Sequence, residues 1–428
     1  MTIQLIMNAG EFHEPSVQID SLDDVAAQVR EGMGSLFKMP IANILDVLQN
    51  LSRALVRDPE VKKIEGIAFL SNWLRKDNLL RMIEINLGQT DFLDSFVENH
   101  HKLIRAFPRG VVCHWIAGNV PTLGLFSLFQ SMLTKNGNIV RVPESSLPSV
   151  IPILKLLSTL KGDPATGQDL LRSVALVHFP SSDLRSNENM SKCADARVVW
   201  GGKEAVDAIT NLPRATHCED VVFGPKYSFA VIDREALESE KMGRLLRNLA
   251  TDSVLFEQTA CSSPHVVFAE TDWNGALRLA DRLAEEFRRL SSIIPKRDFE
   301  MGSAIKIINR RAEYALSPDK AMLAPKENDW SILVDNETRL EEPIQSRTVF
   351  MKPVKSVMET IPLVTKNVQT IGNGILNRQK AKEFAEGVMY RGAARVVPLG
   401  QMHIHDSPWD GILFLSRLVR WNALTPAG

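Results

Sequence analysis

No two cysteines of this 428-residue chain stand in a CxxC pair, and there are only four: Cys113, Cys193, Cys218 and Cys261. A secreted scaffold stapled by disulfides needs a denser framework, so a reducing, cytoplasmic setting is expected. No leader is expected either, because MTIQLIMNAGEFHEP has no basic start, apolar core or cleavage site. Neither sign of charge is in excess: 50 Lys+Arg meet 51 Asp+Glu, for a net charge of -1. That balance speaks against broad nucleic-acid binding and against a polybasic membrane anchor. Val111–Leu133 is free of Asp, Glu, Lys and Arg, but His114, Asn119, Pro121 and Gln130 interrupt it. It reads as a buried strand, turn and helix, and no membrane span is expected. No GxGxxG follows a strand and no GxxxxGK[ST] occurs. Both glycine-rich phosphate fingerprints are therefore absent. Repeats, low-complexity tracts and flexible linkers are absent too.

What is present is an apolar chain, 44% hydrophobic, able to bury a large core. Residues from Ser21 to Leu103 read as helical, with Ser21 and Asp24 as a capping box. Ile41, Ile44, Leu45, Leu48, Leu51 and Leu55 recur at helical spacing and mark one apolar face. From Val111 the pattern changes to short β-rich runs separated by helices. Strands are expected at Val111–Ile116, Asn138–Val142, Val174–His178, Arg197–Trp200, Ser228–Ile232, His265–Ala269, Ser331–Val334, Arg347–Lys352 and Ala394–Pro398. Helices are expected at Pro121–Lys135, Lys203–Asn211 and Leu237–Leu249. The alternation predicts an α/β fold with parallel sheets, which bind ligands beyond the C-terminal ends of their strands. A short hinge is expected near Thr251, after the helix carrying Met242, Leu245, Leu246 and Leu249.

Few residues carry chemistry. Asn119 lies in a turn between strand and helix, where it either caps the helix or points its amide into a cleft. Pro121 suits that helix's first turn. Cys261 lies in FEQTACSSP between a helix and a strand, a connection that can present a nucleophile. Its alternative is a small buried hydrophobe, which is the reading given to Cys113 and Cys193. Cys218, beside His217, is a weaker candidate. His403 and His405 would share one face of a strand, with Asp406 next, but a third metal ligand is missing and no metal is expected. His100 and His101 read as the exposed end of a helix. The uncharged helix with Leu123, Leu125, Phe126, Leu128 and Phe129 reads mostly as core, with an acyl tunnel as the alternative.

These pieces resemble one family. The stretch His114-Trp115-Ile116-Ala117-Gly118-Asn119-Val120-Pro121 and the following LTKNGNIVRV resemble the aldehyde dehydrogenase superfamily, and more closely its LuxC-type acyl-CoA reductases. Val198-Val199-Trp200-Gly201-Gly202 is similar to a strand and glycine turn of the cofactor domain. Phe223-Gly224-Pro225-Lys226 is similar to a Gly-Gly-Lys segment, and Phe256 to Cys261 to the nucleophile loop. Glu341-Glu342-Pro343 resembles an acidic segment near the nicotinamide ribose. Pro408-Trp409-Asp410-Gly411 matches the C-terminal region.

The resemblance implies an aldehyde dehydrogenase-like fold: a Rossmann-like cofactor domain plus a second α/β catalytic domain. Residues 1–250 would hold the helical N-terminal region and the cofactor domain, with 405–428 returning to it. Residues 251–404 would form the catalytic domain. It implies Cys261 as nucleophile and Asn119 as side-chain donor to the oxyanion, with Arg141, Gly201, Gly202 and Glu342 at the cofactor. Arg141 stands two positions from the usual lysine and on the same strand face, and an arginine grips a phosphate bidentately, which favours NADPH. The implied reaction is reduction of a fatty acyl thioester to the aldehyde. The donor would be acyl-CoA, an acylated carrier protein or a partner synthetase, and the assembly a homo-oligomer. Hydrolytic relatives carry a water-activating glutamate where this chain has Val222. Glu219 is out of register, while Glu257, four residues before Cys261, is a partial substitute. An aldehyde-oxidising enzyme and a non-catalytic scaffold of the same fold are the alternatives.

Overall fold

The computed structural model describes residues 2–120, 122–296 and 301–426. Pro121, expected in a first helical turn, lies outside them. The chain forms two compact units, Met1–Gly224 with His405–Gly428, and Pro225–Ile404.

The first unit opens on an antiparallel hairpin, β1 (Ile3–Asn8) and β2 (Glu11–Ile19). Four helices follow: α1 (Asp23–Lys38), α2 (Ile41–Leu55), α3 (Ile67–Trp73) and α4 (Lys76–Leu87). The Ser21 hydroxyl accepts from the N–H of Asp23 rather than of Asp24, at 3.2 Å. The six expected apolar residues of α2 are all buried. A second hairpin, β3 (Val97–Asn99) and β4 (Lys102–Pro108), replaces the expected end of the helical region. His100 and His101 form its turn, not a helix end, with His100 at φ 55.

Then come β5 (Val111–Trp115), α5 (Leu123–Leu133), β6 (Gly137–Arg141), β7 (Val174–His178), β8 (Ala196–Trp200) and β9 (Glu219–Phe223). These strands run parallel in a seven-stranded sheet of order β2-β1-β7-β6-β5-β8-β9. Their continuous apolar runs follow from burial on both faces. The chain moves outward from β5 to β7, then returns to place β8 on the other side of β5. The crevice beyond β5 and β8 is therefore a topological switch point. Leu125, Phe126, Leu128 and Phe129 of α5 belong to the apolar core.

The second unit holds β10 (Tyr227–Ile232), β11 (Pro264–Glu270), β12 (Ala321–Leu323), β13 (Ser331–Val334), β14 (Thr348–Val354), β15 (Val368–Gly374) and β16 (Arg395–Pro398). Their order is β12-β13-β14-β11-β10-β15-β16, and only β12 is antiparallel. The hinge expected near Thr251 is not a boundary. Thr251 lies inside the helix Met242–Val254, which buries Leu246, Leu249, Ala250 and Val254 in the core over this sheet. The division falls at Gly224 and Pro225, because β10 is already a central strand of the second sheet. An amphipathic helix end looks like a boundary in sequence, whereas the three-residue connection between β9 and β10 does not. The chain ends on β17 (Val419–Leu424), which pairs with β4 in the first unit. Among the described residues no helix is long and apolar enough to cross a membrane.

Three buried histidines set the chain's response to acid. Burial pulls His114, His265 and His403 each down to about 4. An unfolded histidine titrates near 6.5, so between those values the unfolded chain takes up protons that the folded chain refuses. The histidines' contribution to stability is therefore complete above about pH 6.5 and falls toward pH 4, by about 3 kcal/mol per ring. Asp252, lifted to about 7 by burial, opposes this in part, since its protonation below pH 7 favours the folded state. The urea midpoint should be lower at pH 5 than at pH 7.5. An equal or higher midpoint at pH 5 would show that the rings protonate without unfolding.

Candidate active site

Cys261 sits in a connection held in an uncommon backbone conformation. Phe256, Glu257 and Gln258 follow one another at φ 56, 51 and 58. A second triplet, Gln345, Ser346 and Arg347, has φ 68, 54 and 59. Left-handed geometry costs a non-glycine residue about 1–2 kcal/mol, so both segments need external restraint. Each restrains the other. The buried Arg347 guanidinium grips the Glu257 carboxylate at two points, 3.0 Å from Nε and 2.6 Å from Nη2. The N–H of Ser346 donates to the Glu257 carbonyl at 2.8 Å. The Gln258 amide accepts from the N–H of Thr348 at 2.5 Å and donates to the carbonyls of Thr348, at 3.1 Å, and Pro264, at 2.9 Å.

Beyond this clamp, Cys261 is partly exposed, whereas Cys113, Cys193 and Cys218 are buried. The Cys261 carbonyl accepts from the Ser228 hydroxyl at 2.7 Å, and Ser228 Oγ in turn accepts from the N–H of Thr370 at 3.0 Å. Ser262 Oγ lies 2.9 Å from His403 Nδ1, and His403 Nε2 lies 2.8 Å from the Asp252 carbonyl. Phe256 meets the His403 ring edge-on, with centroids 5.2 Å apart.

The other cysteines are poor thiolates. Burial raises the Cys113 thiol well above its ordinary value and lifts Cys193 and Cys218 to about 11. That removes the case for Cys218, whose neighbour His217 faces Asp195 at 3.7 Å instead. The shared strand face expected for His403 and His405 does not form. Residues 401–406 are not in a strand, and the two rings belong to different units. His405 packs on Trp73, Phe126 and Trp409. Among the described residues no three His, Cys, Asp or Glu side chains cluster as a metal site.

The remaining expected site residues divide between the units. Asn119, Arg141, Gly201 and Gly202 all lie at the C-terminal edge of the first sheet: Asn119 after β5, Arg141 as the last residue of β6, and Gly201 and Gly202 after β8. Asn119 is exposed in its turn and is not the cap, because the N-cap of α5 is Thr122. Gly202 is the N-cap of the helix Lys203–Thr210, and a Cβ there would meet nothing within 4 Å. That open approach at a helix N-terminus suits a phosphate or dinucleotide. Arg141 is 9% exposed and already donates through Nε and Nη2 to the Phe179 carbonyl at 3.1 and 2.9 Å. Part of its fork is thus committed to the chain. In the second unit, Glu342 lies exposed between β13 and β14. Its neighbour Glu341 is buried and bound to Lys352 at 2.9 Å and to Arg339 at 2.9 Å.

Neither acid weighed as a water-activating base is uncommitted. Glu257 is held by Arg347, and Glu219 pairs with Arg109 and Arg417. Val222 lies within β9. Sequence reasoning passed over Ser228, Gln258, Ser262 and Arg347, and placed His403 in a different role. Serines and glutamines carry no motif, and several of their partners lie 90 to 142 residues away.

The family model described as "Acyl-CoA reductase (LuxC)" matches residues 33–421. A long-chain acyl-protein thioester reductase of Vibrio harveyi is 28% identical over 441 residues, covering 96% of this chain and 88% of that protein. Its namesake in Photorhabdus laumondii is 28% identical, covering 86% and 76%. Among solved structures, an NADP-dependent glyceraldehyde-3-phosphate dehydrogenase of Bacillus halodurans, complexed with NADP, aligns with TM-score 0.68 at 13% identity, over 99% of this chain and 96% of that one. The aldehyde dehydrogenase of Bacillus cereus aligns with TM-score 0.68 at 12% identity, over 98% and 96%. The fold is thus aldehyde dehydrogenase-like.

The clamp predicts an asymmetry. Arg347→Met leaves the Glu257 carboxylate without its guanidinium and should cost about 3–5 kcal/mol of stability in urea unfolding. Glu257→Gln combined with Arg347→Met should cost less than Arg347→Met alone. A double variant that loses more would mean that the pair is not the restraint.

Proposed function

The chain belongs to the LuxC family of acyl-CoA reductases, and from that premise we propose that it reduces a long-chain acyl thioester to the aldehyde through an acyl group carried on Cys261. One observation carries the assignment of the nucleophile: Cys261 is the partly exposed cysteine, set in a rigid connection, while the other three are buried with raised thiols. The names of the curated relatives favour an acylated protein as donor, with acyl-CoA as a second form of the same thioester.

The Cys261 thiolate attacks the thioester carbonyl, and the donor thiolate leaves with the electron pair of the broken C–S bond. The backbone N–H of Cys261 and, by the family resemblance, the Asn119 side chain stabilise the oxyanion. Arg141, Gly201, Gly202 and Glu342 are the residues proposed to hold NADPH. Bound there, the cofactor supplies a hydride. Cys261 then leaves as thiolate and the aldehyde is released. The committed state of Glu257 and Glu219 supports reduction over hydrolysis, since neither carboxylate is placed to draw a proton from water.

Intact-mass measurement after mixing with a long-chain acyl-CoA, and separately with an acylated carrier protein, should show one acyl group on the wild type and none on a folded Cys261→Ala variant. NADPH should then clear the adduct and release aldehyde. Aldehyde from Cys261→Ala, or steady acid from aldehyde without CoA, would overturn the reading. Asn119→Ala should slow acylation by about 10²–10³-fold. Arg141→Ala should lower kcat/KM with NADPH more than with NADH. An equal loss with both cofactors would remove Arg141 from phosphate recognition.

A further inference from the structure

We propose that His403 is a positioning residue for Cys261, acting through the hydroxyl of Ser262. This rests on the reading of Cys261 as the nucleophile and goes beyond it. The bonds on the ring define its tautomer. A carbonyl only accepts, so the 2.8 Å contact with the Asp252 carbonyl places the ring hydrogen on Nε2. Burial keeps the ring neutral, its value pulled down to about 4, so Nδ1 bears a lone pair. The 2.9 Å contact with Ser262 is then a hydrogen bond donated by the serine hydroxyl.

Both ends of the peptide that joins Cys261 to Ser262 are thereby held. Ser228 holds the Cys261 carbonyl, and His403 holds the Ser262 side chain. These restraints fix the backbone rotation on each side of that peptide. They set the direction of the Cys261 side chain and of the N–H groups around it. The supports of the ring are themselves anchored. Asp252 lies in the helix Met242–Val254, and its carboxylate accepts from the N–H of Gly400 at 2.6 Å. Arg395 donates to the carbonyls of Met402 and Ile404, on either side of His403. Phe256, from the left-handed triplet, closes the ring's flank. His403 thus links the clamp before Cys261 to the backbone after it. It needs no contact with substrate to do so, and a nucleophile displaced by about an ångström loses on the order of a hundredfold in rate.

The test is the single-turnover rate of Cys261 acylation by a long-chain acyl-CoA, read by intact mass, with NADPH affinity and melting temperature measured in parallel. Ser262→Ala, a small change with little risk to folding, should acylate about 10–100-fold more slowly. Acyl-CoA KM, NADPH affinity and melting temperature should stay close to wild type. His403→Leu should show the same loss. His403→Asn, whose amide oxygen can take the place of Nδ1, should recover part of it. The Ser262→Ala/His403→Leu double variant should be no slower than His403→Leu. Wild-type acylation in Ser262→Ala, or losses that multiply in the double variant, would overturn the proposal while leaving Cys261 as nucleophile. A wild-type protein that carries no acyl group on Cys261 from either donor would overturn both. If His403→Leu does not fold, Ser262→Ala decides alone.

Discussion

The candidate site depends on one ion pair, Glu257 with Arg347. It joins two backbone segments that are each unfavourable alone, residues 256–258 and 345–347, all six at positive φ. Six left-handed non-glycine residues would cost several kcal/mol if nothing held them. Arg347 is fully buried and also donates to the Ile294 carbonyl at 3.0 Å. A guanidinium in that position is stable only with its carboxylate partner, so the pair enforces the geometry as much as it adds stability. Gln258 then converts the paired segments into a rigid frame by bonding Thr348 and Pro264. The chain leaves this frame just before Cys261.

The frame also accounts for a proposed nucleophile lying where a parallel sheet seldom places chemistry. In the first unit Asn119, Arg141, Gly201 and Gly202 gather at the C-terminal edge of the strands, at the switch point that sheet order predicts. In the second unit Cys261 precedes β11, beyond the N-terminal edge of its sheet. Strand ends there offer no convergent turns of their own. The two left-handed triplets lie before β11 and β14, which are neighbours in the sheet, and they build the turn that topology does not provide. The general rule about parallel sheets thus locates the residues proposed for the cofactor and misses the proposed nucleophile.

Most of the sheet framework was legible, because a strand buried on both faces is mostly apolar. Val174–His178 and Ser331–Val334 were expected at their observed limits. Elements hidden by polar letters were not legible. Strand β2 is a solvated edge carrying Pro15, and β15 buries Gln369 and Thr370. The boundary was displaced because the second unit begins at Pro225 with no change of composition. The site was legible only in part. Cys261 and Asn119 stood out as candidates by their connections between elements, and their proposed roles came from the resemblance rather than from spacing. Ser262 and His403 are 141 residues apart, and Glu257 and Arg347 are 90. No periodicity spans such distances, so their pairing emerges only when the sheets assemble.

The same ion pair bears on the direction of the chemistry. The proposed thioester on Cys261 could pass to water or be reduced, and hydrolysis needs a base to draw a proton from water. Glu257 is near Cys261 in sequence, and its type would serve. A carboxylate fixed by two charge-assisted bonds to a buried guanidinium, however, has both oxygens engaged, and taking a proton would break the contact that shapes the loop. An active base at this position and an intact nucleophile loop are therefore competing demands on one side chain. In this chain the structural demand prevails, and Val222 adds no second acid on β9. On the proposed mechanism, an acyl group on Cys261 would find neither Glu257 nor Glu219 free to activate water, which is the property that a thioester reductase requires of its loop.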